Sequence, residues 1–144
     1  MQTTSDDDIA AFNEIRANRF YLAVATIESS LNPNAVSRTS TARGMFMLIE
    51  ATRKALGVSN WKSTAQQLKA FKELVKQHKE MFKTDDPEIL YAAHYLGATI
   101  LRKHLNNLVL TPKQKGLVTS YDRIIKPRFK RIYDTVITVP PDTH

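Results

Sequence analysis

Apolar residues recur at helical spacing along most of the chain and divide it into a series of predicted helices. The first begins at Ser5, whose hydroxyl can cap free amides, and the three acids that follow suit the positive end of a helix dipole. Residues 22–27 are apolar on nearly all sides, which is typical of a buried helix. Because Asn32-Pro33 disfavours continuation, the pattern predicts one long helix that ends near residues 29–30.

Further segments with the same spacing follow. Two of them cover residues 45–56, which end before Gly57, and residues 64–82. Two more begin at Asp86-Pro87 and at Thr111-Pro112, and a last segment follows Lys126-Pro127. Proline in a first helical turn and glycine after a last one support these boundaries. Alternation typical of strands is limited to a short stretch at residues 38–46. The pattern predicts a mostly α fold with at most a very small β element, in one domain (1–138) with a flexible tail (139–144).

Composition limits the classes of function that remain. The chain has 144 residues, 42% hydrophobic and 24% charged, which is typical of one globular domain. No apolar run has the length needed to cross a bilayer, so we expect no membrane insertion. Residues 1–12 are acidic where a secretory signal is basic and then apolar, so nothing directs export. The absence of cysteine excludes disulfides and thiolate metal sites.

The net charge of +7, from 21 basic and 14 acidic residues, favours a polyanionic partner. Nucleic acid, an anionic membrane and the bacterial cell wall all qualify. Much of the excess lies in residues 113–131, where Asp122 is the one acid. A solvated helical face accounts for such a run. A DNA-reading helix pair is the alternative, although the proline in its turn does not suit that motif.

The sequence lacks the residues that most kinds of catalytic site require. The histidines have no metal-binding spacing, so we expect no metal; they are His78, His94, His104 and His144. Glycine-rich phosphate loops and the GxSxG nucleophile elbow are missing, so we expect no cofactor and no serine nucleophile. Acid–base chemistry by a carboxylate remains.

Glu28 differs from the other acids because it follows the apolar residues 22–27 at the end of a buried helix. Glutamates elsewhere in the chain sit among polar neighbours and are typical of a helix surface. A partly dry environment favours the protonated form of a carboxyl, and a glutamic acid can donate its proton to a glycosidic oxygen. A glutamate at a helix end that reaches solvent is the alternative.

Four short motifs occur in one order along the chain: ESSLNPNAVS (28–37), GMFMLIEAT (44–52), EILYAAHYL (88–96) and a weaker SYD (120–122). They resemble the motifs E-S-x-F-N-P-x-A-x-S, G-L-M-Q, N-I-x-x-G-x-x-Y-L and A-Y-N-A-G. These belong to the lysozyme-like lytic transglycosylases, the group of soluble lytic transglycosylases and goose-type lysozymes. The resemblance implies a lysozyme-like helical domain with a substrate groove.

The resemblance also implies a reaction. The substrate is peptidoglycan, cleaved at the β-1,4 bond between N-acetylmuramic acid and N-acetylglucosamine, with Glu28 as the single catalytic acid. The same Glu28 then removes a proton from the muramic C6 hydroxyl, which gives a 1,6-anhydro product. Further positions carried over as substrate-binding are Ser37, Gly44, Met45, Met47, Tyr95 and Tyr121.

Departures from the family pattern leave alternatives open. Met47 stands where the family has a glutamine that holds sugar, and a thioether cannot make amide hydrogen bonds. One alternative is a hydrolytic muramidase that uses water, with Glu50 or Asp122 as a second carboxylate. Another is a cell-wall-binding module that has lost catalysis.

The setting predicted from these features is a bacteriophage. An endolysin released at lysis and a wall-degrading virion protein both fit. The chain then acts on the cell wall from the virion or from the host cytoplasm, with peptidoglycan as its partner, other virion proteins as further candidates, and no specific nucleic acid.

Overall fold

The computed structural model describes residues 5–140, and nearly all regular structure in them is helical. The elements are α1 (Asp6–Ala17), α2 (Arg19–Ser29), α3 (Glu50–Ala55), α4 (Thr64–Phe82), α5 (Pro87–Leu96), α6 (Ala98–Leu105), α7 (Pro112–Ser120), a π-helical turn (Tyr121–Ile125) and α8 (Lys126–Thr135). Within residues 5–140, pairing of strand type is limited to two isolated bridges, Val36 with Arg43 and Arg43 with Leu48. The prediction of a mostly α fold with at most a very small β element is confirmed.

The chain forms two compact units. The first unit comprises Met1–Leu74 and Thr135–His144, and the second unit comprises Val75–Asp134. In the first unit the backbone N–H of Val139 donates to the Arg16 carbonyl at 2.8 Å, so the first residue of the predicted tail is hydrogen-bonded. Residues 141–144 lie outside the described residues, and the domain boundary stays a prediction.

The first helix predicted from sequence is in fact two helices. Asn18 separates α1 from α2 with an extended backbone (φ −110°, ψ 120°), ends α1, and accepts a hydrogen bond from the Tyr21 N–H as the cap of α2. An asparagine side chain competes for backbone amides in this way, which favours helix ends over helix interiors. The predicted start at Ser5 is confirmed, since its hydroxyl accepts from the Asp8 N–H.

The predicted helix over residues 45–56 is wrong in its first half. α3 covers only Glu50–Ala55, while Gly44 to Met47 form a turn closed by the Met47 N–H on the Gly44 carbonyl (3.1 Å). Both ends of this turn have a positive φ, 85° at Gly44 and 51° at Met47, which right-handed helix cannot accommodate. The apolar spacing here comes from a packed loop.

The second unit contains the elements after the middle of α4. The sequence predicted one helix after Asp86-Pro87, but Gly97 (φ 85°) divides it into α5 and α6. α7 begins as predicted, with a capping box between Thr111 and Gln114. Lys126-Pro127 does not interrupt the helical chain, because the π-helical turn leads directly into α8. The proline removes one N–H from the helical ladder at this junction.

Each unit has its own aromatic core. In the first unit Phe46 and Phe71 are fully buried and stacked, with ring centroids 4.1 Å apart. In the second unit Tyr91 and Phe129 are buried and stacked at 4.3 Å. Of the helices described, none combines the length and the apolar character that crossing a membrane requires.

Candidate active site

Glu28 lies in the last turn of α2 and is half-buried. The preceding turns of α2 are anchored in the core of the first unit, where Leu22 to Ala25 are buried. The helix ends in two successive residues with left-handed backbone, Ser30 (φ 55°) and Leu31 (φ 62°). Such a conformation is costly for residues with a Cβ and tends to occur where a site dictates the backbone path. Glu28 therefore lies just before a helix end with an unusual backbone path.

The hydroxyl of Ser29 connects this helix end to two loops. Its oxygen lies 2.7 Å from the Met45 carbonyl and 3.1 Å from the Ala25 carbonyl, and it accepts the Asn32 N–H at 3.1 Å. A hydroxyl has one hydrogen to donate, and the shorter distance assigns it to Met45. Ser29 thus joins the residue after Glu28 to the 44–47 turn and to the Asn-Pro turn.

Gln67, in the first turns of α4, holds the same loops from the other side. Its Oε1 accepts the Met45 N–H at 2.6 Å, and its Nε2 donates to the carbonyls of Pro33 (3.1 Å) and Trp61 (2.6 Å). The side chain is only 3% exposed, so these bonds are made away from water, where an unmade bond is costly. Three loops therefore depend on one amide group.

Gly44 makes the close approach of Gln67 to the turn possible. A Cβ built on Gly44 would lie 2.7 Å from both Cδ and Oε1 of Gln67. Since the end of the Gln67 side chain is fixed by its hydrogen bonds, it cannot move aside without losing them. The positive φ of Gly44 (85°) also disfavours any other residue.

A second set of bonds fixes the loop that leads to α3. Arg53 Nη1 donates to the carbonyls of Thr41 (2.8 Å) and Leu48, and the Thr41 hydroxyl accepts the Glu50 N–H at 3.0 Å. These bonds close the segment that carries the two isolated bridges. In the first unit, the loops near Glu28 are thus irregular backbone held by side chains.

The predicted sugar-binding residues of the first unit differ in how far they are buried. Ser37 is half-buried, and its hydroxyl oxygen accepts the N–H groups of Thr39 and Ser40, both at 3.2 Å, which leaves its hydrogen for another acceptor. Met47 is half-buried at the end of the 44–47 turn. Met45 is fully buried, so its side chain belongs to the core and only its segment can face sugar. Gly44 is buried as well, and its role is to shape the turn.

Tyr95 and Tyr121 lie in the second unit, with ring centroids 5.5 Å apart. Tyr95 is half-buried, whereas Tyr121 is 3% exposed and its hydroxyl donates to the Glu88 carbonyl at 3.4 Å. Burial raises the pKa of Tyr121 well above its usual value, with the negative charges of Glu88 and Asp122 adding to the shift. A neutral, buried tyrosine that already has an acceptor is placed for packing rather than for contact with sugar.

The two candidate second carboxylates are both exposed. Glu50, in the first turn of α3, pairs with Lys54 at 3.1 Å, and the hydrogen bond from Lys54 lowers the pKa of its carboxyl. Asp122 lies in the π-helical turn of the second unit. Over residues 5–140, no group of three or more His, Asp or Glu side chains is arranged to hold a metal ion.

Sequence reasoning missed Gln67, although a signal for it was present. Thr64, Gln67, Leu68 and Phe71 follow the i, i+3, i+4, i+7 spacing of the buried face of α4, and all four are buried. A glutamine at such a position needs hydrogen-bonding partners in the interior. The spacing could indicate the buried amide, but which backbone groups it binds depends on the fold.

The sequence matches a known family over most of its length. A family model described as the transglycosylase SLT domain matches residues 10–122, which is well over half of the chain and includes every residue from Glu28 to Tyr121 discussed above. No curated protein and no solved structure gave a significant match.

Proposed function

Since the chain belongs to the transglycosylase SLT domain family, whose activity is of the peptidoglycan lytic transglycosylase type, we propose that Glu28 is the single catalytic acid and base of this domain. The observation that carries the proposal is the position of Glu28. It is a half-buried residue in the last turn of α2, next to a serine that hydrogen-bonds to two loops.

The first step is cleavage of the glycosidic bond. Protonated Glu28 donates its proton to the oxygen that joins muramic C1 to the N-acetylglucosamine, the C1–O bond breaks, and the leaving sugar departs with a hydroxyl. Positive charge develops at C1, and the carbonyl oxygen of the substrate's own 2-acetamido group stabilises it. General acid catalysis of this kind requires a carboxyl within hydrogen-bond reach of the leaving oxygen.

The second step closes the ring. Glu28, now a carboxylate, accepts the proton of the muramic C6 hydroxyl while the C6 oxygen forms a bond to C1. The product is a 1,6-anhydromuramic sugar, and Glu28 is again protonated. No water is consumed, so a second carboxylate to activate water is not needed, in contrast to inverting glycosidases.

The remaining residues of the first unit bind and orient the sugar in this proposal. Ser37 can donate its hydroxyl hydrogen, and the backbone of the 44–47 turn offers polar groups at a position set by Ser29 and Gln67. Met47 supplies an apolar contact where an amide side chain would supply hydrogen bonds. We therefore expect the affinity for sugar at this position to depend on van der Waals contact.

Mass spectrometry of soluble fragments released from purified peptidoglycan tests the proposal. Wild type is expected to release anhydromuropeptides, and Glu28→Gln, which keeps shape but cannot donate and accept a proton, is expected to lose about 10²–10⁴-fold in rate. Glu50→Gln is the matched control, because it removes an exposed carboxyl of the same unit. Release of fragments by Glu28→Gln at the wild-type rate would contradict the proposal.

Other products select the alternatives. Reducing-end sugars, with release reduced by Glu50→Gln or Asp122→Asn, indicate a muramidase that uses water. Binding to peptidoglycan without release of fragments by any variant indicates a wall-binding module. The bacteriophage setting, as a lysis protein or a virion component acting on the wall, stays a prediction from sequence, and detection of the chain in purified virions is its test.

A further inference from the structure

The connection between α6 and α7 in the second unit exposes apolar side chains. Leu105 is 50% exposed, Leu108 56% and Val109 90%, and we refer to these three residues as the apolar tip. Single exposed apolar residues are common on protein surfaces, but three within five positions form a patch that water solvates poorly.

The backbone of this connection is well defined at both ends. α6 ends with the Asn107 N–H on the His104 carbonyl (3.2 Å) and the Leu108 N–H on the Lys103 carbonyl (2.8 Å), with Asn107 in left-handed backbone (φ 55°). This pair of bonds is the Schellman termination of a helix. At the other end Leu110 is buried and Thr111 caps α7. The apolar tip is therefore presented to solvent by ordered backbone.

Positive charge flanks the apolar tip on both sides. Arg102, Lys103 and His104 form the last turn of α6, and Lys113 and Lys115 lie in the first turn of α7. No acid occurs from residue 89 to residue 121. The second unit as a whole has twelve Lys and Arg against six Asp and Glu, compared with nine against eight in the rest of the chain. The second unit thus carries most of the net positive charge of the chain.

The combination of the apolar tip and its basic flanks distinguishes between the candidate polyanionic partners. Peptidoglycan and nucleic acid attract cations but offer no apolar phase for valine and leucine side chains. An anionic bilayer offers both, since its headgroups attract lysine and arginine while its interface accepts apolar side chains. We propose that the apolar tip and its basic flanks bind the surface of an anionic lipid bilayer, with Val109 and Leu108 entering the interface.

This binding is peripheral. It requires no spanning helix, and it differs from the sequence-based expectation of no membrane insertion in that two side chains enter the interface. It is also independent of the chemistry at Glu28, because the tip lies in the second unit and none of its residues belongs to the proposed catalytic or sugar-binding set. A domain held in this way acts on glycan strands next to the membrane.

The absence of cysteine allows a site-specific test. Val109→Cys, labelled with an environment-sensitive dye, is expected to show a blue shift with vesicles of equal phosphatidylglycerol and phosphatidylcholine at 50 mM salt. Pure phosphatidylcholine vesicles are expected to give none. The matched control is Ile137→Cys, since Ile137 is 85% exposed and lies in the first unit. Its label is expected to stay unchanged with both kinds of vesicle.

Co-sedimentation of unlabelled full-length chain with the same vesicles separates the two contributions. Val109→Asn with Leu108→Asn is expected to weaken binding about tenfold through lost apolar burial. Lys113→Gln with Lys115→Gln is expected to weaken it roughly 20-fold, and 0.5 M salt is expected to weaken it further. Release of fragments from purified peptidoglycan is expected to be unchanged in both variants.

Several outcomes overturn the proposal. The first is a blue shift of the Val109 label with peptidoglycan or duplex DNA but not with vesicles. The second is equal binding of the chain to neutral and anionic vesicles, or no binding to either. The third is a blue shift of the Ile137 label as large as that of the Val109 label. Each of these results leaves the Glu28 chemistry intact, and loss of that chemistry leaves vesicle binding intact, so the two proposals fail separately.

Discussion

The loops around Glu28 and the helices of the second unit are held in place by different interactions. In the first unit, Ser29, Gln67 and Arg53 bind backbone groups of segments far from them in sequence. In the second unit, short helices pack through aromatic rings, with Tyr91 stacked on Phe129 at 4.3 Å. The first unit also has an aromatic stack, Phe46 on Phe71, but these rings cannot satisfy the backbone amides of the loops.

The difference follows from the backbone. A helix satisfies its own N–H and carbonyl groups, so its packing can rely on apolar side chains. The chain from Ser30 to Ile49 has two isolated bridges and no helix, so its buried polar groups require side-chain partners. Irregular backbone can arrange polar groups in ways that a regular helix does not allow, but its conformation then depends on a few polar side chains. Four predictions test this comparison.

The largest effect is expected in the second unit. Phe129→Ala removes a fully buried ring and its stacking on Tyr91, which is expected to lower the free energy of unfolding by about 3–5 kcal/mol. Phe129→Leu, which keeps much of the apolar volume, is the control and is expected to cost less. Urea unfolding followed by circular dichroism measures both. A loss below about 1 kcal/mol for Phe129→Ala would contradict the role given to the stack.

Gln67 and Gly44 test the polar network by a double-mutant cycle. Gln67→Ala leaves the Met45 N–H and two carbonyls without their partner, at about 2–3 kcal/mol. Gly44→Ala is expected to lower stability in two ways. A residue with a Cβ in left-handed backbone costs about 1–2 kcal/mol, and the new Cβ displaces the Gln67 side chain. Because that displacement has no further cost once Gln67 is absent, the two losses are expected to be less than additive by about 1–2 kcal/mol.

The cycle has an activity readout as well. Gln67→Ala is expected to lower fragment release from peptidoglycan at temperatures where the protein is fully folded, since the 44–47 turn loses its position. Phe129→Leu is expected to leave release unchanged under the same conditions. Strict additivity of the Gly44 and Gln67 losses, or unaltered release by folded Gln67→Ala, would remove Gln67 from the network.

A pH dependence is expected from the second unit. Burial, with repulsion from His94, lowers the pKa of His78 from 6.5 to about 4. The folded state binds its proton less readily than the unfolded state, so stability is complete above pH 6.5 and falls as the pH drops toward 4. The expected loss is about 2–3 kcal/mol. His78→Leu, compared by urea unfolding at pH 7 and pH 4.5, is expected to lose less on acidification, and an equal loss would exclude His78 as the cause.

The smallest effect concerns the start of α4 in the first unit. Asp8 accepts hydrogen bonds from the Ala65 N–H and the Ser63 hydroxyl, both at 2.8 Å, and the bond from Ala65 is the main cause of its lowered pKa. Asp8→Asn is expected to cost about 1 kcal/mol at pH 7. The contribution of Asp8 is present above its unfolded pKa of 3.8 and lost as the pH falls through the folded value.

The control for Asp8 is Asp7→Asn, an exposed acid in the same turn. Thermal unfolding at pH 7 and pH 3 is the measurement. A difference between the two variants is expected at pH 7 and is expected to shrink at pH 3. Equal melting temperatures of both variants at pH 7 would show that the bond to α4 contributes nothing.

The sequence predicted those parts of the fold that local chemistry determines. The starts of α1, α5 and α7 were correct because a capping side chain or a proline at the first turn acts within a few residues. The break at Asn18 and the break at Gly97 were missed, because the apolar spacing continues through both. The turn at residues 44–47 was read as helix, because packed loops can also show helical spacing.

The site was predictable to the extent that its motif is contiguous. Glu28 and its neighbours stand in one segment, whose resemblance pointed to the family that the matched model shows. Gln67 is 22 residues after Met45 and 34 after Pro33, so its bonds to both depend on the path of the chain between them. Residue spacing cannot give that path. The catalytic role of Glu28 stays a prediction, and so do the sugar contacts assigned to Ser37, Gly44, Met45, Met47, Tyr95 and Tyr121.

The position of Gln67 has a consequence for the order of folding. Its amide lies at the start of α4, and it can bind Pro33, Met45 and Trp61 only after the first turns of that helix exist. Contacts that close long segments of chain form late, because their loss of entropy is recovered only when both ends are in place. We therefore expect the bonds of Gln67 to form after the turns of α2 and α4, so that the chain acquires its helices before the loops beside Glu28 take their final positions.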